Sequence, residues 1–204
     1  MATLKEISYD LMQHARSNMT DDDDLDYRSV KFWVKNQRSL WVKNELSKHK
    51  ETPDKLIQSI DAESVTGSST LKYTGAINIP LSINGEPQIV RVGGTDDAEI
   101  DYKFGTYRHS KHYGNGRFNS DEIFAYYMDN KVYIKGADLS AISTIDIRGV
   151  FEDPMDISGM TDDSEYPVPD NFIPYIKAEI IKLDLSIFAN TSKDDINDGS
   201  NNLN

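Results

Sequence analysis

The stretch from residue 120 to residue 154 constrains the fold more than any other part of this 204-residue chain. Residues 123–128 alternate between two faces, an Asp-Asn pair at 129–130 interrupts the alternation, and residues 132–134 resume it. Two alternating runs joined by such a pair predict a β-hairpin. Residues 144–150 also alternate and predict a third, half-buried strand. We therefore expect a chain organised around antiparallel β structure.

A second hairpin pattern lies nearer the N-terminus. Residues 77–83 and 88–92 flank an Asn-Gly pair at 84–85, which favours a two-residue hairpin turn. Pro80 has no backbone N–H to donate to a ladder, so the first of these strands should lie at an edge or carry a bulge. Residues 100–104 favour a further short strand.

Two helices are predicted at the N-terminus. Residues 4–16 and 27–48 repeat apolar side chains at helical spacing, which is typical of amphipathic helices. Thr3 and Glu6 have the spacing of a capping box, in which the two side chains satisfy backbone N–H groups of the first turn.

A third helix is predicted at residues 171–189. Asp170 or Asn171 is expected to cap it, and Pro174 is tolerated in the first turn, where no backbone donor is needed. Apolar residues recur at helical spacing along it: Ile173, Ile176, Ile180, Leu183 and Ile187.

The predicted fold class is α+β, with N-terminal helices and a C-terminal helix around an antiparallel β-sheet built from hairpins. The length favours a single domain over residues 1–190. Its predicted parts are a helical part at 1–50, a β-rich part at 51–154, an acidic connection at 155–170, and the helix at 171–189. The polar tail at 191–204 is expected to be disordered when free.

Composition excludes several classes of protein. The formal net charge of -12 argues against simple binding to nucleic acid, although DNA could slide past such a surface because like charges repel. The absence of cysteine excludes disulfides and thiolate chemistry. No apolar run approaches the roughly 18 residues of a membrane span, and the first residues lack a secretory signal pattern. We therefore expect a protein that is neither secreted nor membrane-bound.

Charge is segregated into two blocks. Residues 27–50 contain seven basic residues against Glu45 alone, a local charge of +6, whereas residues 151–170 contain seven acidic and no basic residues. The helix face could simply be solvated, or it could dock an acidic partner, either in the same chain or in a neighbouring copy. The acidic block is expected to be exposed with little core of its own. Candidate interface residues are Arg28, Lys31, Lys35, Arg38, Glu152, Asp153, Asp156, Asp162, Asp163 and Glu165.

The sequence offers little catalytic chemistry. His109 and His112 are three residues apart, a spacing that would suit a metal-dependent hydrolase if the segment were helical. Neighbouring glycines favour a surface loop instead. Glu152 and Asp153 are adjacent carboxylates whose expected role is in the turn before Pro154. We predict no catalytic, cofactor-binding or metal site, and therefore no enzyme.

Three segments of the chain resemble virion proteins. Residues 133–136 (Tyr-Ile-Lys-Gly), residues 145–154 and residues 166–185 are similar to head–tail connector ring proteins of crAss-like phages, the tailed phages of gut Bacteroidales. The resemblance implies a structural virion protein that assembles in the host cytoplasm as a homo-oligomeric ring, with twelve copies to match a portal. It also implies contacts with the portal and other tail or ring proteins, and a conduit through which genomic DNA passes without specific binding.

An alternative hypothesis is a monomeric β-rich module that binds a ligand or glycan. The polar loop at residues 105–117 would hold the ligand, with stacking by nearby aromatic side chains. These are Tyr102, Phe104, Tyr107 and Tyr113.

Overall fold

The computed structural model describes residues 2–16, 25–48, 52–95, 101–113, 122–183 and 185. The chain divides into two compact units. The helical unit comprises Met1–Trp41 and Asp162–Asn204, and the barrel unit comprises Val42–Thr161. The single domain expected from chain length stays a prediction.

The helical unit contains α1 (Leu4–Arg16), most of α2 (Tyr27–Lys48), a 3-10 turn at Asp170–Phe172, and α4 (Ile173–Leu183). The predicted bounds of α1 and α2 are confirmed. The capping box is confirmed too, because Thr3 Oγ1 accepts from the Glu6 N–H at 3.1 Å and the Glu6 carboxylate accepts from the Thr3 N–H at 2.9 Å.

The C-terminal helix differs in detail from its prediction. Ile173, Ile176 and Ile180 are buried, as predicted, but Leu183 is 51% exposed. The predicted cap at Asp170 or Asn171 is wrong, because both lie inside the 3-10 turn that precedes α4. Pro174 does lie in the first turn of α4. The predicted end of the helix at 189 and the predicted disordered tail lie outside the described residues.

The barrel unit is built on a seven-stranded sheet and a separate two-stranded hairpin. Every neighbouring pair in the sheet is antiparallel except β6–β7, which is parallel. The sheet order is β5-β9-β1-β2-β8-β7-β6, and the hairpin is β3-β4. The strands are β1 (Gln58–Gly67), β2 (Leu71–Thr74), β3 (Ser82–Ile83), β4 (Glu86–Pro87), β5 (Ile89–Gly94), β6 (Lys103–Gly105), β7 (Phe124–Met128), β8 (Lys131–Lys135) and β9 (Thr144–Gly149).

The two edges of this sheet approach each other. Gly93 at the end of β5 forms a bridge with Asp101, and the Tyr102 N–H donates to the Val92 carbonyl at 2.8 Å. The sheet is therefore nearly closed into a barrel. The predicted α+β class is correct in outline, and the predicted antiparallel pairing holds in this sheet except at the parallel β6–β7 pair.

Alternating side chains fill the barrel. Ile145 and Ile147 of β9 are fully buried, as predicted, and Val132 and Ile134 of β8 join the same apolar cluster. The first hairpin is confirmed: β7 and β8 pair directly, and both turn residues, Asp129 and Asn130, have the positive φ of a type I′ turn.

The second hairpin is much shorter than predicted. Its Asn84-Gly85 turn is confirmed, with φ of 53° and 83°, but each strand has only two residues. Residues 77–81 do not form a regular strand, since Pro80 cannot donate to a ladder. Pro80 forms only an isolated antiparallel bridge with Phe151, where the Leu81 N–H donates to the Val150 carbonyl at 2.7 Å. The returning strand, β5, pairs with β9.

The expectation that the acidic block has little core is wrong. In the barrel unit, Phe151 and Ile157 are 0% and 7% exposed; in the helical unit, Tyr166 and Val168 are 1% and 2% exposed. Net charge predicts solvation of the carboxylates, but the apolar side chains between them still gain free energy on burial.

Shorter elements complete the barrel unit. The predicted strand at 100–104 appears as β6, and the loop at 105–117 includes a one-turn helix, α3 (Tyr107–Ser110), which the nearby glycines had argued against. A 3-10 turn forms at Asp54–Leu56 and another at Pro154–Asp156. Among the described residues, no helix is long and apolar enough to cross a membrane.

Candidate functional site

The basic helix and the acidic block contact each other within the helical unit. Lys31 Nζ of α2 lies 2.6 Å from Asp162 Oδ2, and both side chains are half-buried. Lys5 Nζ of α1 lies 3.0 Å from Asp163 Oδ1, and this hydrogen bond raises the pKa of the Lys5 ammonium. Part of the opposite charge predicted for an interface is therefore paired inside one chain.

Arg38 has a buried position in the helical unit. Its side chain is 0% exposed, and its Nε donates to the Pro167 carbonyl at 3.1 Å. The guanidinium lies 5.9 Å from the ring centroid of Tyr166, within the range of a cation–π interaction. Arg38 therefore fixes the end of the acidic block to α2, and its predicted role between copies stays a prediction.

The barrel unit holds two more of the candidate residues in structural contacts. Lys43 Nζ lies 3.5 Å from Glu152 Oε1. Asp153 Oδ1 accepts from the Met155 N–H at 2.9 Å and so caps the 3-10 turn that begins at Pro154. The predicted turn role of Asp153 is confirmed.

The remaining candidate residues lie at the surface. Arg28, Asp156 and Glu165 are exposed and Lys35 is half-buried. The Glu165 backbone forms an isolated bridge with Thr3. The role of the ten predicted residues at an interface between copies stays a prediction.

The Lys31–Asp162 pair gives a testable energy. We expect a double-mutant cycle of Lys31→Ala and Asp162→Ala to give a coupling of about 0.5–1 kcal/mol, because the pair is close but only half-buried. Unfolding in urea can be followed by tryptophan fluorescence, since Trp33 and Trp41 are the two tryptophans of the chain and both lie in the helical unit.

The more exposed Lys5–Asp163 pair is the matched control for that cycle. Its side chains are 47% and 73% exposed, so solvent screens the interaction and the coupling should be smaller. A larger coupling for this control pair than for Lys31–Asp162 would contradict the assignment.

A groove with three carboxylates runs along one part of the barrel unit. Asp61 and Glu63 come from β1, where the register shifts between Ile60 and Glu63, and Asp156 comes from the turn after Pro154. We call this surface, with Asp61, Glu63 and Asp156, the acidic groove. Among the described residues no group of three or more His, Cys, Asp or Glu side chains is arranged to hold a metal. The acidic groove presents negative charge at the surface of the barrel unit.

A row of tyrosines crosses the outside of the sheet. Tyr73, Tyr133 and Tyr126 are direct partners on β2, β8 and β7, with ring centroids 5.7 Å and 5.1 Å apart. Tyr107 of α3 continues the row, 5.5 Å from Tyr126. The row faces outward because the alternate residues of β8 belong to the core.

Lysines flank both ends of this row. Lys131 Nζ lies 5.1 Å from the Tyr73 ring centroid, and Lys111 Nζ lies 5.7 Å from that of Tyr107. Lys135 Nζ donates to the Ser110 carbonyl at 2.9 Å, which holds α3 on the sheet. We call this surface the tyrosine–lysine face, defined by Tyr73, Tyr107, Tyr126, Tyr133, Lys111, Lys131 and Lys135.

The sequence contained a partial signal for this face. A two-residue turn at 129–130 places Tyr126 opposite Tyr133, so that pair follows from the hairpin register alone. The addition of Tyr73 and Tyr107 depends on long-range pairing that no local pattern reveals.

The two histidines lie at the surface in and after α3. His109 lies in α3, with its Nδ1 3.3 Å from Thr106 Oγ1, and His112 follows in the next turn. Both side chains are exposed, as expected for a surface loop.

The aromatic site of the glycan hypothesis is not assembled as predicted. Tyr102 is only 7% exposed and belongs to the barrel core, against which Phe104 also packs. Tyr113 stacks on Phe124 with centroids 4.4 Å apart. Burial removes Tyr102 from any surface that a sugar could stack on, and packing against the core covers part of Phe104.

Burial of Tyr102 predicts sensitivity to alkaline pH. Desolvation raises its pKa above the ordinary value of 10.0. The neutral phenol therefore contributes stability that is complete below pH 10 and is lost as pH rises through the higher folded-state pKa. As pH rises from neutral to above 10, we expect the free energy of unfolding to fall less in Tyr102→Phe than in wild type. Urea unfolding at each pH measures this difference. Identical losses in both proteins would contradict this prediction.

Comparison with known proteins gives one result that covers both units. A protein-family model described as phage tail ring protein 2 matches residues 6–203. No curated protein is similar enough to the chain to count as a match. Because the family match spans nearly the whole sequence, the chain belongs to the phage tail ring protein 2 family of crAss-like phages.

Proposed function

We propose that this protein is a structural, non-catalytic virion component that forms an oligomeric ring at the head–tail junction, between the portal and the tail. The observation that carries the proposal is membership of a tail ring family across residues 6–203. The resemblance of residues 133–136, 145–154 and 166–185 to connector ring proteins supports the more specific position next to the portal.

We propose further that the ring lines or supports the conduit through which genomic DNA passes. The net charge of -12 supports this role, because a wall of carboxylates repels the phosphate backbone and releases no counterions on contact. DNA would then slide through the ring without adhering to it.

The proposed partners follow from a ring at this position. Copies would contact one another head to tail, a type of contact that closes into a ring when the rotation between copies permits. Twelve copies would match a portal, and neighbouring tail or ring proteins would complete the junction. Assembly would take place in the host cytoplasm.

A cryo-EM reconstruction of intact virions tests the position, the symmetry and the charge of the lumen together. We expect ring density at the portal–tail junction that accepts this chain, with carboxylates on the lumen wall. Ring density elsewhere in the tail would overturn the junction assignment, and a basic lumen would overturn the conduit argument.

A further inference from the structure

A ring of these copies has to bring together chains that each carry a charge of -12. Like charges in close contact cost free energy, and opposed charge pairs across an interface offset that cost and fix its register. The surface that receives a neighbouring copy should therefore be one where cations remain available to face its carboxylates.

The basic helix meets this requirement poorly. Lys31, Lys43 and Lys48 of α2 form ion pairs with acidic residues of the same chain, at 2.6 Å, 3.5 Å and 3.3 Å. Arg38 is buried. Much of the positive charge of α2 is thus paired or buried within the same chain.

The tyrosine–lysine face meets the requirement better. The elements that form it, β2, β7, β8 and α3, contain no Asp or Glu. The Nζ atoms of Lys111 and Lys131 flank the row of rings, and α3 also carries the exposed Arg108. The face therefore carries positive charge, whereas the whole chain, with 34 acidic and 22 basic residues, is negatively charged.

The rings of this face suit a protein partner. Tyr73 and Tyr107, at the ends of the row, are 37% and 47% exposed, whereas Tyr126 between them is 4% exposed. Stacking and direct strand pairing hold the rings in place before a partner arrives, so little side-chain entropy is lost on binding. Tyrosine and arginine are enriched at the centres of protein interfaces.

We propose that the tyrosine–lysine face of one copy binds the acidic groove of the next copy. Charge complementarity supports this pairing, since the groove presents Asp61, Glu63 and Asp156 and the face presents lysines. Both surfaces lie in the barrel unit, so Val42–Thr161 carries the two different halves of a head-to-tail contact. The inference rests on the proposed ring and assigns its subunit contact.

Two charge-reversed variants of the full chain test the pairing by analytical ultracentrifugation at low salt. The face variant is Lys111→Glu with Lys131→Glu, and the groove variant is Asp61→Lys with Asp156→Lys. We expect wild type to self-associate with rising concentration, and added salt to weaken the association. Each variant alone should associate at least about tenfold more weakly than wild type.

Mixing the two variants tests the head-to-tail geometry. The face variant keeps an intact groove and the groove variant keeps an intact face, and the reversed face is in turn opposite in charge to the reversed groove. An equimolar mixture should therefore recover the association that each variant loses alone. Such mutual rescue is expected only when the contact joins two different surfaces, the face of one copy and the groove of the next.

Matched controls separate local contacts from net charge. The control for the face variant is the double variant Lys48→Glu with Lys182→Glu. It changes the net charge by the same amount, but at exposed lysines that lie outside the face. The control for the groove variant is the double variant Glu86→Lys with Glu179→Lys, which changes the net charge by the same amount as the groove variant at exposed glutamates outside the groove. Both controls should associate through the same contact as wild type, and circular dichroism should show that all variants are folded.

Several results would overturn the inference without touching the proposed ring. The first is a face variant that associates as strongly as wild type. The second is a mixture of the two variants that associates no more strongly than either variant alone. The third is a wild-type chain that stays monomeric while virions carry it as a ring. Binding of a single-stranded oligonucleotide that the face variant loses would instead assign the face to nucleic acid. Absence of ring density in virions would overturn the proposed function itself.

Discussion

Replacement of Ile147 by alanine should lower the free energy of unfolding by about 2–5 kcal/mol, the usual range when a buried isoleucine is truncated. Ile147 is 0% exposed and lies on β9, which pairs with β1 on one side and β5 on the other. Its direct partners are Ile60 and Val92. The cavity left by the substitution would thus open where three strands meet inside the barrel.

Ile79→Ala is the matched control, because it removes the same atoms from a side chain of the same unit that is 52% exposed. We expect it to cost less than about 1 kcal/mol, since little apolar surface leaves contact with the protein. Urea unfolding followed by far-ultraviolet circular dichroism compares the two variants. Equal midpoints for both would show that Ile147 does not lie in the core.

The burial of Ile147 was predictable because its signal is local. In β9, and in the hairpin at Phe124–Lys135, alternation and turn residues act over a few positions and point to the same structure. The longest strand, β1, gave a weak signal because polar side chains dominate it. Its register also shifts between Ile60 and Glu63, with Ala62 at φ 55°, and such a bulge breaks the two-residue period.

The charge blocks were visible in the sequence, but their partners were not. Lys31 and Asp162 are 131 residues apart, and Lys43 and Glu152 lie in the other unit, so only the folded chain shows which charges pair. Net charge per segment also hid the burial of Arg38. The acidic block was misjudged for a related reason, since its composition says nothing about where the intervening apolar side chains go.

The tyrosine–lysine face was also not predictable from the sequence, because distant strands bring its residues together. Tyr126 and Tyr133 are neighbours by hairpin register, yet Tyr73 comes from β2, which no sequence pattern predicted. A surface assembled from three strands and a helix is a property of sheet order. Sheet order in turn depends on which distant strands bury their apolar faces together.

Replacement of Gly67 by alanine is the second change from which we expect a large effect. Gly67 ends β1 with φ at 140°, a conformation that side chains rarely adopt. An added Cβ would lie against the Leu71 carbonyl oxygen and 3.0 Å from Lys72 Cα. Both contacts are with backbone, which cannot rotate away. We expect a loss of at least about 2 kcal/mol.

Gly85→Ala is the control for conformational strain without a clash. Gly85 has φ at 83°, but nothing lies within 4 Å of an added Cβ, so we expect a loss of about 1 kcal/mol. Urea unfolding gives the two losses, and hydrogen exchange shows where protection falls. A Gly67 variant no less stable than the Gly85 variant would contradict the clash.

The position of Gly67 in the sheet explains why its substitution should affect the whole barrel. The first half of β1 pairs with β9, and its last residues pair with β2. β1 is therefore the strand through which β5 and β9 are joined to β2, β8, β7 and β6. A clash in the β1–β2 turn should reduce amide protection on both sides of this joint. Protection lost only in the turn itself would mean that the core and the contact between the β5 and β6 edges hold the two halves of the sheet together without this joint.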